Sequence, residues 1–330
     1  MSARNDWLIL PALLFWSAGY ATADAGLFLE EPFGLFGETN PTGHAAVYLS
    51  RVCAASPLQL RRCEAGEPGV VISRYHHISG YDWIAIPVIP YLFAVERAGQ
   101  VPLYVSARTV ADLRDDYRRS RLLAIVPNGE NGKTPEGEWI QLIGAAYDRK
   151  IYSFEIETTE EQDQLFIEKF NSSRNKSRFN LFFHNCADFS RSVINFYYPH
   201  AVHRSLFVDN GITTPKQIAK SLVTYSRRHP DLQFSSFVIP QIPGTLPRSR
   251  TIRGVMESFL MSKKYALPVA VLHPLVFGGL AAAYLTSSCC DPQRHFTKQM
   301  NGESRPEAII AELETNHTVK PDVASAGAGR

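Results

Sequence analysis

Between Lys264 and Asp291 the chain carries no aspartate, glutamate, lysine or arginine. The core of that run, Tyr265 to Leu285, is apolar apart from His273 and contains Pro268, Pro274 and two glycines. About 20 apolar residues cross a bilayer as a helix, and a proline kink is tolerated there. Residues 265–288 therefore read as a transmembrane or membrane-associated helix. Arg248, Arg250, Arg253, Lys263 and Lys264 precede the run, and only Arg294 and Lys298 closely follow it. The positive-inside rule would put the upstream side in the cytoplasm, although translocated domains can override loop charge. The alternatives are a re-entrant or surface-lying helix, or a hydrophobic hairpin docked on the domain.

The other end conflicts with that orientation. Residues 1–25 read as a secretory leader: Arg4, then the apolar run Trp7 to Tyr20, then Ala21-Thr22-Ala23 as a cleavage pattern, with Ala23-Asp24-Ala25 as its rival. A leader places folding outside the cytoplasm, where disulfides persist. Cys53 and Cys63, ten residues apart, are then expected to pair. Cys289 and Cys290 end the apolar run, open to lipidation, interchain pairing or reduction. Residues 289–330 are polar and small and read as a disordered tail.

The middle is globular. Hydrophobic residues make up 45% and charged residues 20%, enough for a packed core. With 34 basic and 32 acidic residues, the chain lacks the basic excess of a nucleic-acid binder. Strands are expected at 44–50, 70–75, 83–89 and 150–157. Helices are expected at 109–123, from a Thr158–Glu161 capping box to about 170, at 187–197, and from Thr214-Pro215 to about 228. Strands and helices come in blocks, which predicts an α+β fold. One domain over 26–230, a connecting segment over 231–264, the apolar helix and the tail follow.

His184-Asn185-Cys186-Ala187-Asp188-Phe189 places a cysteine where an apolar segment meets a helix start. Helix N-terminal amides stabilise a thiolate, so a lowered thiol pKa is expected. A buried cysteine acting as a small hydrophobe is the competing reading. A catalytic thiol needs a base, and His44, opening a strand after Thr42-Gly43, is the candidate. Asn171, Asn175 and Asn316 fit the glycosylation pattern. Arg174 to Arg178 reads as a solvated loop or a membrane-surface contact. The His76-His77 pair has no acidic or cysteine partner at ligand spacing, so no metal and no other cofactor is expected.

A Gly-His-x-x-x-Tyr-Leu strand followed much later by Asn-Cys-x-x-Phe resembles the circularly permuted NlpC-type branch of the papain-like thiol enzymes, the lecithin–retinol acyltransferase-like group. Asn40 to about Pro199 is similar to the periplasmic thiol domain of the Lnb lipoprotein acyltransferase family. The resemblance implies an antiparallel sheet packed against helices, Cys186 as nucleophile and His44 as its base. It implies backbone oxyanion donors at Ala187 and the helix start, with Asn185 shaping the turn or the oxyanion site. The family's orienting polar residue falls on the next strand, where Ser73, Tyr75 and His76 are all available and His76 is preferred.

The expected function is an extracytoplasmic, membrane-associated cysteine hydrolase or acyltransferase, working through a thioester on a lipid or lipoprotein. The rivals are a cell-wall peptide amidase or endopeptidase, and a catalytically silent envelope binding module of the same fold.

Overall fold

The computed structural model describes residues 23–34, 41–76, 78–204 and 211–287. Residues 1–22 of the expected leader, His77, Asn316 and the tail over 289–330 lie outside the described residues.

The frame is a six-stranded antiparallel sheet in the order β6-β5-β2-β1-β7-β8. Its strands are β1 (Ala23–Glu30), β2 (His44–Leu49), β5 (Val70–Ser73), β6 (Ile84–Pro87), β7 (Ile151–Thr158) and β8 (Ser235–Ile239). A separate hairpin of β3 (Val52–Ser56) and β4 (Gln59–Arg62) holds Cys53 and Cys63, which are joined by a disulfide. The expected α+β class, an antiparallel sheet packed against helices, is the observed one.

Helices cover both faces. Successive strand side chains point to opposite sides, so Phe28, Ala46, Tyr48 and Val71 pack toward α1 (Val88–Phe93), α2 (Ala107–Tyr117) and α3 (Ala145–Asp148). Leu27, Leu29, Val47 and Ile72 pack toward α4 (Glu160–Ser172), α5 (Cys186–Tyr197) and α6 (Pro215–Arg228). A strand buried on both faces loses its polar alternation and reads as a plain apolar run. β2, equally buried, is still found at 44–50, whereas β1 is missed because its first residues fall in the expected leader. β1 lies between β2 and β7, and both cleavage patterns fall at its first residues. At the other end, β8 pairs with β7 beyond the expected boundary at 230.

Local chemistry accounts for several helix ends. Thr214 caps α6, accepting from the Gln217 N–H, with Pro215 at the first helical position. The capping box of α4 is Thr159 with Gln162 rather than Thr158 with Glu161, because β7 continues through Thr158. Asn171, exposed, and Asn175, half-buried, turn their amides onto backbone, Asn171 on Leu60 and Asn175 on Asp82 and Trp83.

The single hydrophobic helix expected over 265–288 is not formed. The run breaks into α8 (Lys263–Leu272) and α9 (Pro274–Ser287), preceded by α7 (Val255–Met261). Among the described residues no helix is long and apolar enough to cross a membrane. The break has a local cause. A residue before proline is pushed away from the helical region, and His273, before Pro274, sits at φ −138°, ψ 63°.

Replacing Cys53 and Cys63 with serine should lower stability by about 3 kcal/mol, the loop-closure value for a ring of this size. A denaturant midpoint unchanged from the parent would show that the β3–β4 hairpin does not unfold with the domain.

Candidate active site

Cys186 is the first residue of α5, and Asn185 is its cap. The Asn185 side-chain oxygen accepts from the Asp188 N–H at 2.9 Å. Its amide donates to Leu181 O at 2.9 Å and to Thr213 O at 3.1 Å. Both amide hydrogens are thereby engaged, so Asn185 shapes the turn and its side chain is not an oxyanion donor. Behind it, Asp188 accepts from Arg204 and Thr213, placing a negative charge in the first turn, where the helix dipole favours one.

His44 opens β2 directly after a glycine that cannot be replaced. Gly43 has φ +73°, and a Cβ there would lie 2.1 Å from the Glu30 carbonyl oxygen. The buried imidazole is set by two neighbours. Tyr75 stacks on it with centroids 5.2 Å apart, and Ser73 Oγ lies 3.0 Å from Nε2. Ser73 also donates to Ala45 O at 2.8 Å. A hydroxyl has one proton. With that proton on Ala45 O, Ser73 accepts from Nε2–H, which leaves Nδ1 as the basic nitrogen.

Of the three polar residues open on that strand, the structure brings Ser73 to the hydrogen-bonding position on His44 and Tyr75 to the ring face. The preferred His76 turns away. Its Nδ1 is 3.5 Å from Glu138, and its ring meets Phe179 edge-on at the pocket rim. A side chain three residues past Ser73 has left the strand, so the sheet no longer aims it at β2.

Beneath the imidazole lies a buried polar chain that the sequence did not reveal. Glu30 pairs with His44 across the β1–β2 register. It accepts from Tyr91 and forms an ion pair with Arg149 Nη1 at 3.0 Å. Glu30 is 0% and Arg149 2% exposed. Nothing in a plain apolar strand signals that its last glutamate points inward.

Proton positions follow from burial. Burial, and then the charge of Arg149, hold the His44 pKa well below its usual value. Burial pushes the Cys186 thiol up to about 11, against the pull of the Ala45 and Ala187 backbone N–H groups. The expected depression by the helix start is therefore corrected: desolvation exceeds it. Both shifts favour the uncharged forms, a thiol on the half-buried Cys186 and a neutral imidazole on His44.

Cys186 and His44 line one pocket of about 400 Å³, within the range of small-ligand sites. Phe33, Phe179, Leu181 and Phe182 form much of its apolar wall, and Arg74 enters from β5's end, held by Asp82 at 2.7 and 3.0 Å. Cys53 and Cys63 lie outside this lining, which leaves Cys186 as the free thiol among the described residues. Those two cysteines with Glu67 make a group with the spacing of metal ligands, but both sulfurs are bonded to each other.

No family model matches the chain. No curated protein and no solved structure matches it either.

The proton positions set two outcomes. Iodoacetamide alkylation of Cys186 at pH 7 should run roughly tenfold or more slower than that of a free thiol and climb beyond pH 9. A plateau below pH 7 would mean a preformed thiolate–imidazolium pair. Ser73→Ala should alter the pH profile of Cys186 alkylation, by freeing the His44 tautomer, without changing the melting temperature by more than a few degrees.

Proposed function

We propose that the protein is a cysteine hydrolase or acyltransferase of the permuted papain-like, NlpC-type architecture, acting on an acyl ester or amide. One observation carries this reading: a free cysteine at a capped helix start shares an apolar pocket with a buried histidine whose tautomer is imposed by Ser73.

The chemistry runs from neutral partners. His44 Nδ1 takes the thiol proton as the Cys186 sulfur adds to the carbonyl carbon. The developing oxyanion is stabilised by backbone N–H groups at the start of α5, including that of Ala187. Collapse breaks the bond to the leaving alcohol or amine, which takes the proton from the imidazolium and leaves a thioester on Cys186. Water or an amine then attacks the thioester, with His44 again serving as base.

The mostly apolar pocket favours an acyl chain over a cell-wall peptide, whose polar backbone would need more hydrogen-bonding partners. Lipids and lipoproteins are the proposed acyl donors. The Cys53–Cys63 disulfide supports an extracytoplasmic setting.

After incubation with membrane lipids, intact-mass analysis should find a fatty-acyl increment on Cys186, removable by hydroxylamine. Cys186→Ala should abolish the adduct, and His44→Ala should slow its formation by roughly 10²–10⁴-fold. An adduct of muropeptide mass would move the assignment to cell-wall peptides. A parent protein that forms no adduct with either donor would favour the binding module.

A further inference from the structure

The segment leading into Cys186 is not a strand but a tight turn with an apolar tip. Asn180 and His184 exchange both backbone hydrogen bonds, at 3.1 and 3.0 Å. The Asn180 side chain accepts from the Phe182 and Phe183 N–H groups at 2.9 and 3.3 Å. Asn185 holds the Leu181 carbonyl, and His184 is held by Ser177 and Asp82. On this fixed turn Leu181, Phe182 and Phe183 are 52%, 53% and 62% exposed. Ordering three large apolar side chains in water gains nothing for folding, so the turn presents them to something outside the domain.

Two features say what that is. Arg174 and Arg178 are exposed just before the tip, Lys176 between them donates to Ser79 O and sits over the Tyr81 ring, and no acidic residue occurs from 171 to 187. An apolar tip flanked by cations is complementary to an anionic lipid surface, where the cations meet headgroups and the rings reach the acyl boundary. Leu181 and Phe182 also line the pocket that holds Cys186. Val255, the first residue of α7, lines it too, and the helices beyond leave Leu267, Leu272 and Leu275 exposed.

We propose that the Leu181-Phe182-Phe183 turn is a lipid-inserting wedge that seats the mouth of the Cys186 pocket on an anionic bilayer. An acyl chain would then pass from the membrane to the thiol without crossing water. This rests on the acyl-transfer reading for its purpose, but its test does not depend on chemistry.

The test uses the full chain with Cys186→Ala, with and without Phe182→Trp, and a second pair with Phe183→Trp. Vesicles are phosphatidylcholine alone or with phosphatidylglycerol, each with and without brominated acyl chains. The variant-minus-parent emission isolates the tip from the four native tryptophans. With anionic vesicles it should shift to the blue and be quenched by the brominated chains. Adding Arg178→Glu should weaken the partitioning by about fivefold, and salt should weaken it further.

An unshifted difference emission for both variants, while the protein co-sediments with vesicles, would overturn the proposal by assigning binding to another segment. A concentration-dependent dimer dissolved by Phe182→Ser would overturn it in favour of a self-interface. If Cys186 traps an acyl group while the tip stays in water, the wedge fails and the enzymatic reading stands. Insertion without any adduct leaves the wedge standing and removes that reading.

Discussion

The buried ion pair between Glu30 and Arg149 sits under everything that gives this domain a site. It joins the end of β1 to the residue pair that leads into β7, and it faces His44 across the central register. Two charges taken out of water are costly unless each is closely paired, and removing one partner of such a pair typically costs about 3–5 kcal/mol. Tyr91 donates to the same carboxylate. Phe33 covers the guanidinium, 4.5 Å from its ring centre. The pair therefore specifies one arrangement of the strand ends, and the histidine inherits that arrangement.

The same burial determines the chemistry. A thiol at a helix start in contact with water would be expected to ionise more readily. Here the surrounding protein raises the thiol and lowers the imidazole, with Glu30 opposing a thiolate and Arg149 opposing an imidazolium. A thiol held in its protonated form is less prone to oxidation and alkylation.

Much of this was legible in the residue order, for identifiable reasons. The helix start beside Cys186 was local, since the apolar run from Ala187 stops before Pro199; that Asn185 caps it came only from the structure. The Gly43-His44 turn was equally local, because a positive φ at Gly43 needs no distant partner. Ser73 could not be separated from Tyr75 and His76, because strand facing depends on where β5 stops. The apolar run after Lys264 was misread as one helix for a related reason: composition measures hydrophobicity, whereas His273 and Pro274 decide continuity. β1 was hidden because its first residues, Ala23 to Ala25, were read as the end of the leader.

What the sequence determined by itself was the local grammar: a helix starting at Cys186, a glycine turn before His44, a disulfide between Cys53 and Cys63 and an α+β order of elements. Each depends on backbone preferences within a few residues. The tertiary structure alone decided which serine holds the imidazole, which carboxylate lies beneath it, that burial raises the thiol pKa, and that Leu181 and Phe182 are exposed while lining the pocket. Those properties arise from register and desolvation. Both depend on atoms brought together from distant parts of the chain, and no window of sequence contains them.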